Sequence, residues 1–326
     1  MTDDYRLLVR RTGGPEVIER EAARIGAPGP GEALVRHQAI GLNFIDTYQR
    51  SGLYPVRLPS GLGSEGAGMI EAVGEGVTGV RPGDRVAYAS GPLGAYATVR
   101  IMPAASLVPL PAGIDAEQAA AAMLKGMTAD MLTGACARIQ PGQTALVHAA
   151  AGGVGSLLVQ WLKAIGAVVI AHAGSEAKAA RARALGADTA LSCPFEALAG
   201  EVRAATGGRG VDVAFDGVGA ASWAATLASM AARGLIASYG NASGPVPPVA
   251  PLELARAGSL FLTRPTLLNY IATPEELRAS AGRLFAMIET GKLRIEIGQR
   301  FPLAAAAEAH RALEGRATTG STLLIP

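Results

Sequence analysis

A run of small residues, Ala150-Ala-Gly152-Gly-Val-Gly155, sits between two patterns of different period. Ahead of it, Thr144–Val147 is apolar and β-capable; behind it, Val154, Leu157, Leu158, Trp161, Leu162 and Ile165 recur at helical spacing. A strand, a glycine elbow and a buried helix make the corner that grips the phosphates of a dinucleotide. Glycines let the backbone approach the pyrophosphate, and the first helical N–H groups face it with the positive end of the helix dipole behind them. The spacing Ala150-x-Gly152-x-x-Gly155 is by itself a common turn; between this strand and this helix it predicts a nucleotide site.

The second discriminator lies about 20 residues on, where chains that bind NAD commonly place an Asp or Glu against the ribose 2′-hydroxyl. Here that stretch is Ala171-His-Ala-Gly174-Ser175-Glu176-Ala-Lys178. A hydroxyl at Ser175 and an ammonium at Lys178 suit a 2′-phosphate, so NADPH is expected in preference to NADH. Glu176 dissents, and is read as a first-turn acid favoured by the helix dipole.

The elements that must position these residues alternate. Strand candidates are Thr144–His148, Val168–Ala171, Ala190–Leu191, Val211–Phe215, Leu235–Tyr239 and Leu260–Thr263. Helix candidates lie between them at Ser156–Ile165, Glu176–Leu185, Phe195–Ala205, Ala221–Ala232 and Leu252–Ala257. Alternation of this kind implies an α/β fold, with a doubly wound parallel sheet covered on both faces. From Tyr5 to about Pro111 the pattern differs: short β-like segments such as Ala33–Ile40, Gly68–Gly74 and Asp84–Tyr88 are broken by Gly and Pro, reading as a compact β-barrel-type domain. A helix-prone stretch, Ala116–Lys125, leads into the alternating region. Glu275–Thr290 reads as an amphipathic helix, and Gly320–Ile325 as a strand returning to the first domain.

The composition bounds the function. The 326 residues suffice for two domains, and 49% hydrophobic with 17% charged content argues for packed cores. A net charge of +2 without a clustered Lys/Arg run gives no reason to expect nucleic acid or an anionic membrane as partner. The two cysteines, Cys136 and Cys193, cannot build a disulfide framework, and the start at Met1–Tyr5 lacks a leader pattern; a reduced, cytoplasmic setting is expected. Only His37, His148, His172 and His310 are present, none at ligand spacing with a cysteine, so no metal is expected.

The run Gly142-Gln-x-x-Leu146-x-x-x-Ala150-Ala-Gly-Gly-x-Gly155-x-x-x-x-Gln160-x-x-Lys163 resembles the signature of the quinone oxidoreductase/ζ-crystallin branch of the medium-chain dehydrogenase/reductase superfamily. Further matches are Gly13–Val17, Ala39–Tyr48, Ser51–Pro55, Leu124–Thr128, Tyr239–Asn241 and Arg316–Gly320. The stretch Gly61-Leu-Gly-Ser64-Glu65-Gly66 is similar to the Gly-His-Glu segment of the zinc alcohol dehydrogenases, with Ser64 in place of the metal-binding His.

The resemblance implies a GroES-like domain (1–124, completed by about 266–326) and a Rossmann domain (125–265), with NADPH in the cleft between them. Its cofactor contacts carry over to Asn43, Asp46 and Tyr48 near the nicotinamide, and to Lys125 and Thr128 at the domain junction. Gly152, Gly153, Val154 and Gly155 take the pyrophosphate; Gly174, Ser175, Lys178 and Arg316 take the 2′-phosphate. Gly240, Asn241 and Ser243 line the nicotinamide ribose, and Thr263, Arg264 and Pro265 lie by the second crossing. Cys193 stands where relatives carry a Tyr, which weakens the expected NADPH preference.

Hydride transfer needs positioning and exclusion of water more than a strong acid. Tyr48 and Tyr54 are the catalytic candidates, each offering a ring to shape a substrate slot and a hydroxyl to donate; simple packing is the alternative for both. Three functions are open: an NADPH-dependent quinone reductase, a reductase of α,β-unsaturated carbonyls, and a non-catalytic NADPH-binding protein of the crystallin kind. The apolar run Gly258–Thr263 would be an exposed sheet edge in a monomer, so a homodimer formed there is expected.

Overall fold

The computed structural model describes residues 4–326, so the first three residues of the stretch read for a leader lie outside the described residues. The chain divides into two compact units. The first comprises residues up to Met127 with Ile271–Glu289 and Ile295–Pro326; the second comprises Thr128–Tyr270 with Thr290–Arg294. The expected boundaries, 124/125 and 265/266, thus shift by three and five residues toward the C-terminus. The short segment Thr290–Arg294 rejoins the second unit because Gln160 clamps it: its Oε1 accepts the Arg294 N–H at 2.8 Å and its Nε2 donates to the Arg294 carbonyl at 3.2 Å.

The second unit is built on a six-stranded sheet. In spatial order its strands are Thr189–Leu191, Val168–His172, Thr144–Val147, Val211–Asp216, Met230–Ser238 and Phe261–Thr263, all paired in parallel. Thr144–Val147 is first in sequence yet lies inside the sheet, so the winding reverses at its edge. Ligands of open parallel sheets bind at that switch point, beyond the carboxyl ends of the strands. Its four residues are buried, as a strand covered on both faces must be.

One expected helix is corrected. The span Ala221–Ala232 is helical only over Trp223–Ser229, and Met230 already pairs with Val211. A register shift between Val211 and Val213, with Arg233 at φ 63°, absorbs the extra residues. Periodicity alone does not separate the end of an apolar helix from the start of an apolar strand.

The first unit carries a seven-stranded and a three-stranded sheet. Its longest strand, Glu32–Leu42, pairs antiparallel with Glu65–Val73, Val99–Pro103 and the last strand, Ser321–Ile325. The tail therefore returns to this unit as expected. It also pairs in parallel with Ile297–Pro302, a strand not foreseen. A second unforeseen element is the helix Phe44–Ser51, entered at Asn43 and closed by Gly52 in the left-handed conformation. The helix Pro274–Glu289 buries Leu277, Ala281, Leu284 and Phe285 along one face.

Candidate active site

The corner at Ala150–Gly155 has the geometry an anion needs. Strand Thr144–Val147 ends at buried His148; Ala149 takes φ 48°, and the Ala150 N–H is tied to the His172 carbonyl. The helix Gly153–Ile165 then begins at Gly152 with no side-chain cap and no acid in its first turn. Its leading N–H groups are therefore left to a ligand instead of a neighbouring Ser, Thr or Asp. Gly155 is required sterically: a Cβ there would run into the Ala149 carbonyl and press on Ala150 Cα. Gly152, Gly153 and Val154 are partly exposed at the mouth of the turn.

At the end of the neighbouring strand, Val168–His172, the loop presents Gly174 and Ser175 to solvent before the helix Glu176–Ala184. Ser175 caps that helix, its Oγ accepting the Lys178 N–H at 3.3 Å. Accepting that bond does not use the hydroxyl's own hydrogen. Glu176 Oε2 accepts the Ser192 hydroxyl at 2.9 Å, so the dissenting acid has a protein partner. Cys193 is half-buried, and its carbonyl meets His172 Nε2 at 2.9 Å.

The third side of this site is the loop Gly240–Gly244. A Cβ on Gly240 would meet the Gly217 backbone, so the two loops pack main chain to main chain. Ser243 is a brace: its N–H and Oγ–H both go to the Val218 carbonyl at 2.8 Å, and its Oγ accepts the Ala221 N–H at 3.0 Å. These bonds fix the loop expected at the nicotinamide ribose. Asp216, missed in the sequence, holds the facing loop. One carboxylate oxygen accepts Val218 N–H at 2.8 Å and Gly219 N–H at 3.2 Å; the other accepts Ser222 Oγ–H at 2.7 Å and Thr226 Oγ1–H at 2.8 Å. Arg264 donates to the Ser238 carbonyl at 2.7 Å, Thr263 sits on the edge strand, and Pro265 is buried.

In the first unit, Asn43 and Asp46 lie at the start of helix Phe44–Ser51. Asp46 is wholly buried, accepting the Asn43 N–H at 2.9 Å and the Tyr96 hydroxyl at 3.0 Å. It thus caps the helix and packs against Tyr96. Burial pushes its carboxyl up to about 7. The network runs on: Arg50 Nη1 donates to His310 Nδ1 and Tyr96 Oη meets His310 Nε2, each at 3.0 Å. Since a guanidinium only donates, His310 carries its proton on Nε2 and donates it to Tyr96, whose own hydrogen goes to Asp46. Tyr48 is 8% exposed, and its ring lies 5.1 Å from that of the half-buried Tyr54.

Lys125 and Thr128 lie three residues apart on the helix Ala116–Met131, hence on one face, and both are buried. Lys125 Nζ is 2.9 Å from Glu65 Oε2. Arg316, exposed at φ 57°, follows the helix Ala306–Glu314.

A zinc site does not fit these residues. Ser64 replaces a nitrogen ligand, and the adjacent Glu65 carries an ammonium in place of a cation of its own. His37 and His310 are buried in hydrogen bonds to Ala97, Tyr88, Arg50 and Tyr96. Among the described residues no group of three or more His, Cys, Asp or Glu could hold a metal ion.

Comparison with known proteins adds the family. Residues 29–112 match the alcohol dehydrogenase GroES-like domain, and residues 153–285 match the zinc-binding dehydrogenase domain. A quinone oxidoreductase of Pseudomonas aeruginosa is 53% identical over 315 residues, covering 96% of this chain and 97% of the relative. This chain belongs to the quinone oxidoreductase family. The family's fold, a GroES-like domain joined to a Rossmann domain, is the one described above. The crystal structure of Escherichia coli quinone oxidoreductase complexed with NADPH superposes with a TM-score of 0.96 at 44% identity, covering 99% of this chain and all of that one. A 2-haloacrylate reductase of Burkholderia sp. is 40% identical, covering 98% of both chains.

Proposed function

We propose that this protein is a zinc-independent reductase that uses NADPH to reduce quinones. NADPH supplies, when bound, a hydride to the acceptor. The acceptor gains the hydride and one proton from solvent, so a quinone becomes a hydroquinone as the nucleotide is oxidised. The observation that carries the reading is the pairing of an uncapped helix N-terminus at Gly152–Gly155 with a neighbouring loop that offers Gly174, Ser175 and Lys178 while its single acid is held by Ser192.

The chain's own residues bind and orient. Backbone N–H groups of Gly153, Val154 and Gly155 hold the pyrophosphate, and Gly152, whose own N–H goes to the Ala149 carbonyl at 2.9 Å, lets the main chain come close to it. Ser175 Oγ and the cations Lys178 and Arg316 take the 2′-phosphate. Gly240 and Asn241 line the ribose, with Ser243 and Asp216 bracing that loop, and Thr263–Pro265 flanks it. Asn43, Lys125 and Thr128 orient the nicotinamide half. Tyr48 and Tyr54 shape the acceptor slot, where a hydroxyl donor stabilises the charge that develops on the acceptor oxygen.

A second acceptor class, conjugated carbonyl compounds, is favoured by the likeness to a 2-haloacrylate reductase. A panel of quinones, enones and 2-haloacrylates assayed by NADPH oxidation separates the two. Quinones turning over fastest is expected; a higher kcat/KM for an enone or haloacrylate would replace the first reading by the second.

The same proposal includes a reduced, cytoplasmic setting and a homodimer. Among the described residues no helix is long and apolar enough to cross a membrane. Edge strand Phe261–Thr263 exposes 63% of Phe261, with Leu252 and Leu268 also exposed nearby in sequence. Such an edge is commonly covered by a second strand. Light scattering checks it: a monomeric mass removes the dimer.

A further inference from the structure

Glu65 is wholly buried in the first unit, and three donors from two segments converge on its carboxylate. Oε2 accepts Asn43 Nδ2–H at 2.8 Å and Lys125 Nζ–H at 2.9 Å; Oε1 accepts the Leu124 N–H at 2.6 Å. Both partner side chains are themselves buried, Asn43 at 6% and Lys125 at 4% exposure. Strand Glu32–Leu42 makes room for this group: a Cβ on Gly41 would collide with the Glu65 carboxylate and with the Ala120 carbonyl.

A carboxylate can only accept, so the amide end that faces it must be the NH2 end. The orientation of Asn43 is thereby fixed, with its second amide hydrogen toward the Gly41 carbonyl at 3.4 Å. On the other side Glu65 takes one of the three hydrogens of the Lys125 ammonium and holds it at the end of a side chain that is otherwise flexible.

We propose that Glu65 is a positioning residue for cofactor binding, one carboxylate that sets both the Asn43 amide and the Lys125 ammonium toward NADPH. The inference rests on the reading above of Asn43 and Lys125 as cofactor residues. A glutamine at position 65 cannot do the same: its oxygen can still accept from Asn43 and Lys125, but its NH2 then faces the Leu124 N–H, donor to donor.

The test is Glu65→Gln in the full chain, with Asn43→Ala and Lys125→Ala beside it, read by fluorescence titration of NADPH and by steady-state kinetics. Glu65→Gln should weaken NADPH binding by roughly tenfold, as the loss of a charge-assisted contact does. The KM for NADPH should rise in step, with the KM for the quinone unmoved. A merely structural role predicts otherwise: fewer folded molecules lower Vmax and leave the NADPH Kd and both KM values alone, and that result overturns the proposal. Should Glu65→Gln fail to fold, Glu65→Asp carries the test, since it keeps the charge but withdraws the carboxylate; an unchanged NADPH Kd there overturns it equally. If Asn43→Ala and Lys125→Ala both leave NADPH binding intact, the underlying site reading falls and this inference with it. If those two weaken binding while the Glu65 variants do not, only this inference falls.

Discussion

The Ser192 hydroxyl donates to Glu176 Oε2 across 2.9 Å, tying the one acid of the Gly174–Lys178 loop to the next strand's exit. Left unpaired, that carboxylate would compete for a ribose hydroxyl and repel a 2′-phosphate. Ser192→Ala should therefore shift the ratio of kcat/KM for NADPH over NADH downward by a few-fold, on the order of one exposed hydrogen bond. Lys178→Ala and Arg316→Ala should each lower the same ratio, by raising the KM for NADPH more than that for NADH. Equal effects on both nucleotides would remove the residue concerned from the 2′-phosphate.

Two glycines separate fold from ligand. Gly155→Ala drives a Cβ into the Ala149 carbonyl and should destabilise the protein by about 1–3 kcal/mol, as overpacking does. Gly174→Ala meets nothing within 4 Å and has ordinary backbone angles. It should melt like the parent protein, so any rise in its KM for NADPH reports the approach of the ligand. A thermal melt of both variants checks the contrast; a stable Gly155→Ala would contradict the tight turn.

The paired rings of Tyr48 and Tyr54 carry the acceptor argument. Removing one hydroxyl by Tyr48→Phe or Tyr54→Phe should lower kcat with quinone roughly tenfold at the residue that donates, a modest share of what an oxyanion donor contributes. The other variant should change little. Unchanged kcat/KM in both would leave these residues with packing alone.

Acid should weaken the fold in a defined window. Burial holds His37 and His148 down to about 4 and His310 down to about 3, from an ordinary value of 6.5. Each is neutral when folded, so its contribution is present above 6.5 and lost as pH falls toward the folded value. Asp46 opposes them. Its carboxyl is pushed by burial from 3.8 up to about 7, so its contribution is full at low pH and lost as pH rises through about 7. Three groups outweigh one, and the melting temperature should fall between pH 6.5 and about 4. Asp46→Asn removes the opposing titration and should steepen that fall; a melting temperature flat across the window would contradict both assignments.

The Rossmann unit was legible because its signals are local. Strand and helix periods alternate, and the helix after the glycine turn shows its buried stripe over Leu157–Leu162. What stayed hidden depends on distant partners. Phe44–Ser51 is short and rich in aromatic and β-branched residues, which favour strands by propensity; its helix is secured by Asp46 reaching back to the Asn43 N–H and outward to Tyr96. Ile297–Pro302 exists as a strand because Ser321–Ile325 runs beside it. The candidate site follows the same rule. Its glycines and Lys178 could be read from spacing, whereas Glu65, Asp216 and the buried side of Asp46 are defined by residues that only folding brings together.

The most direct measurement is NADPH oxidation by the purified, chelator-treated protein with a simple quinone, with NADH as the control nucleotide. The account predicts undiminished quinone-dependent turnover after chelation and a kcat/KM for NADPH well above that for NADH. No turnover with any quinone, or activity that chelation abolishes and zinc restores, would contradict it.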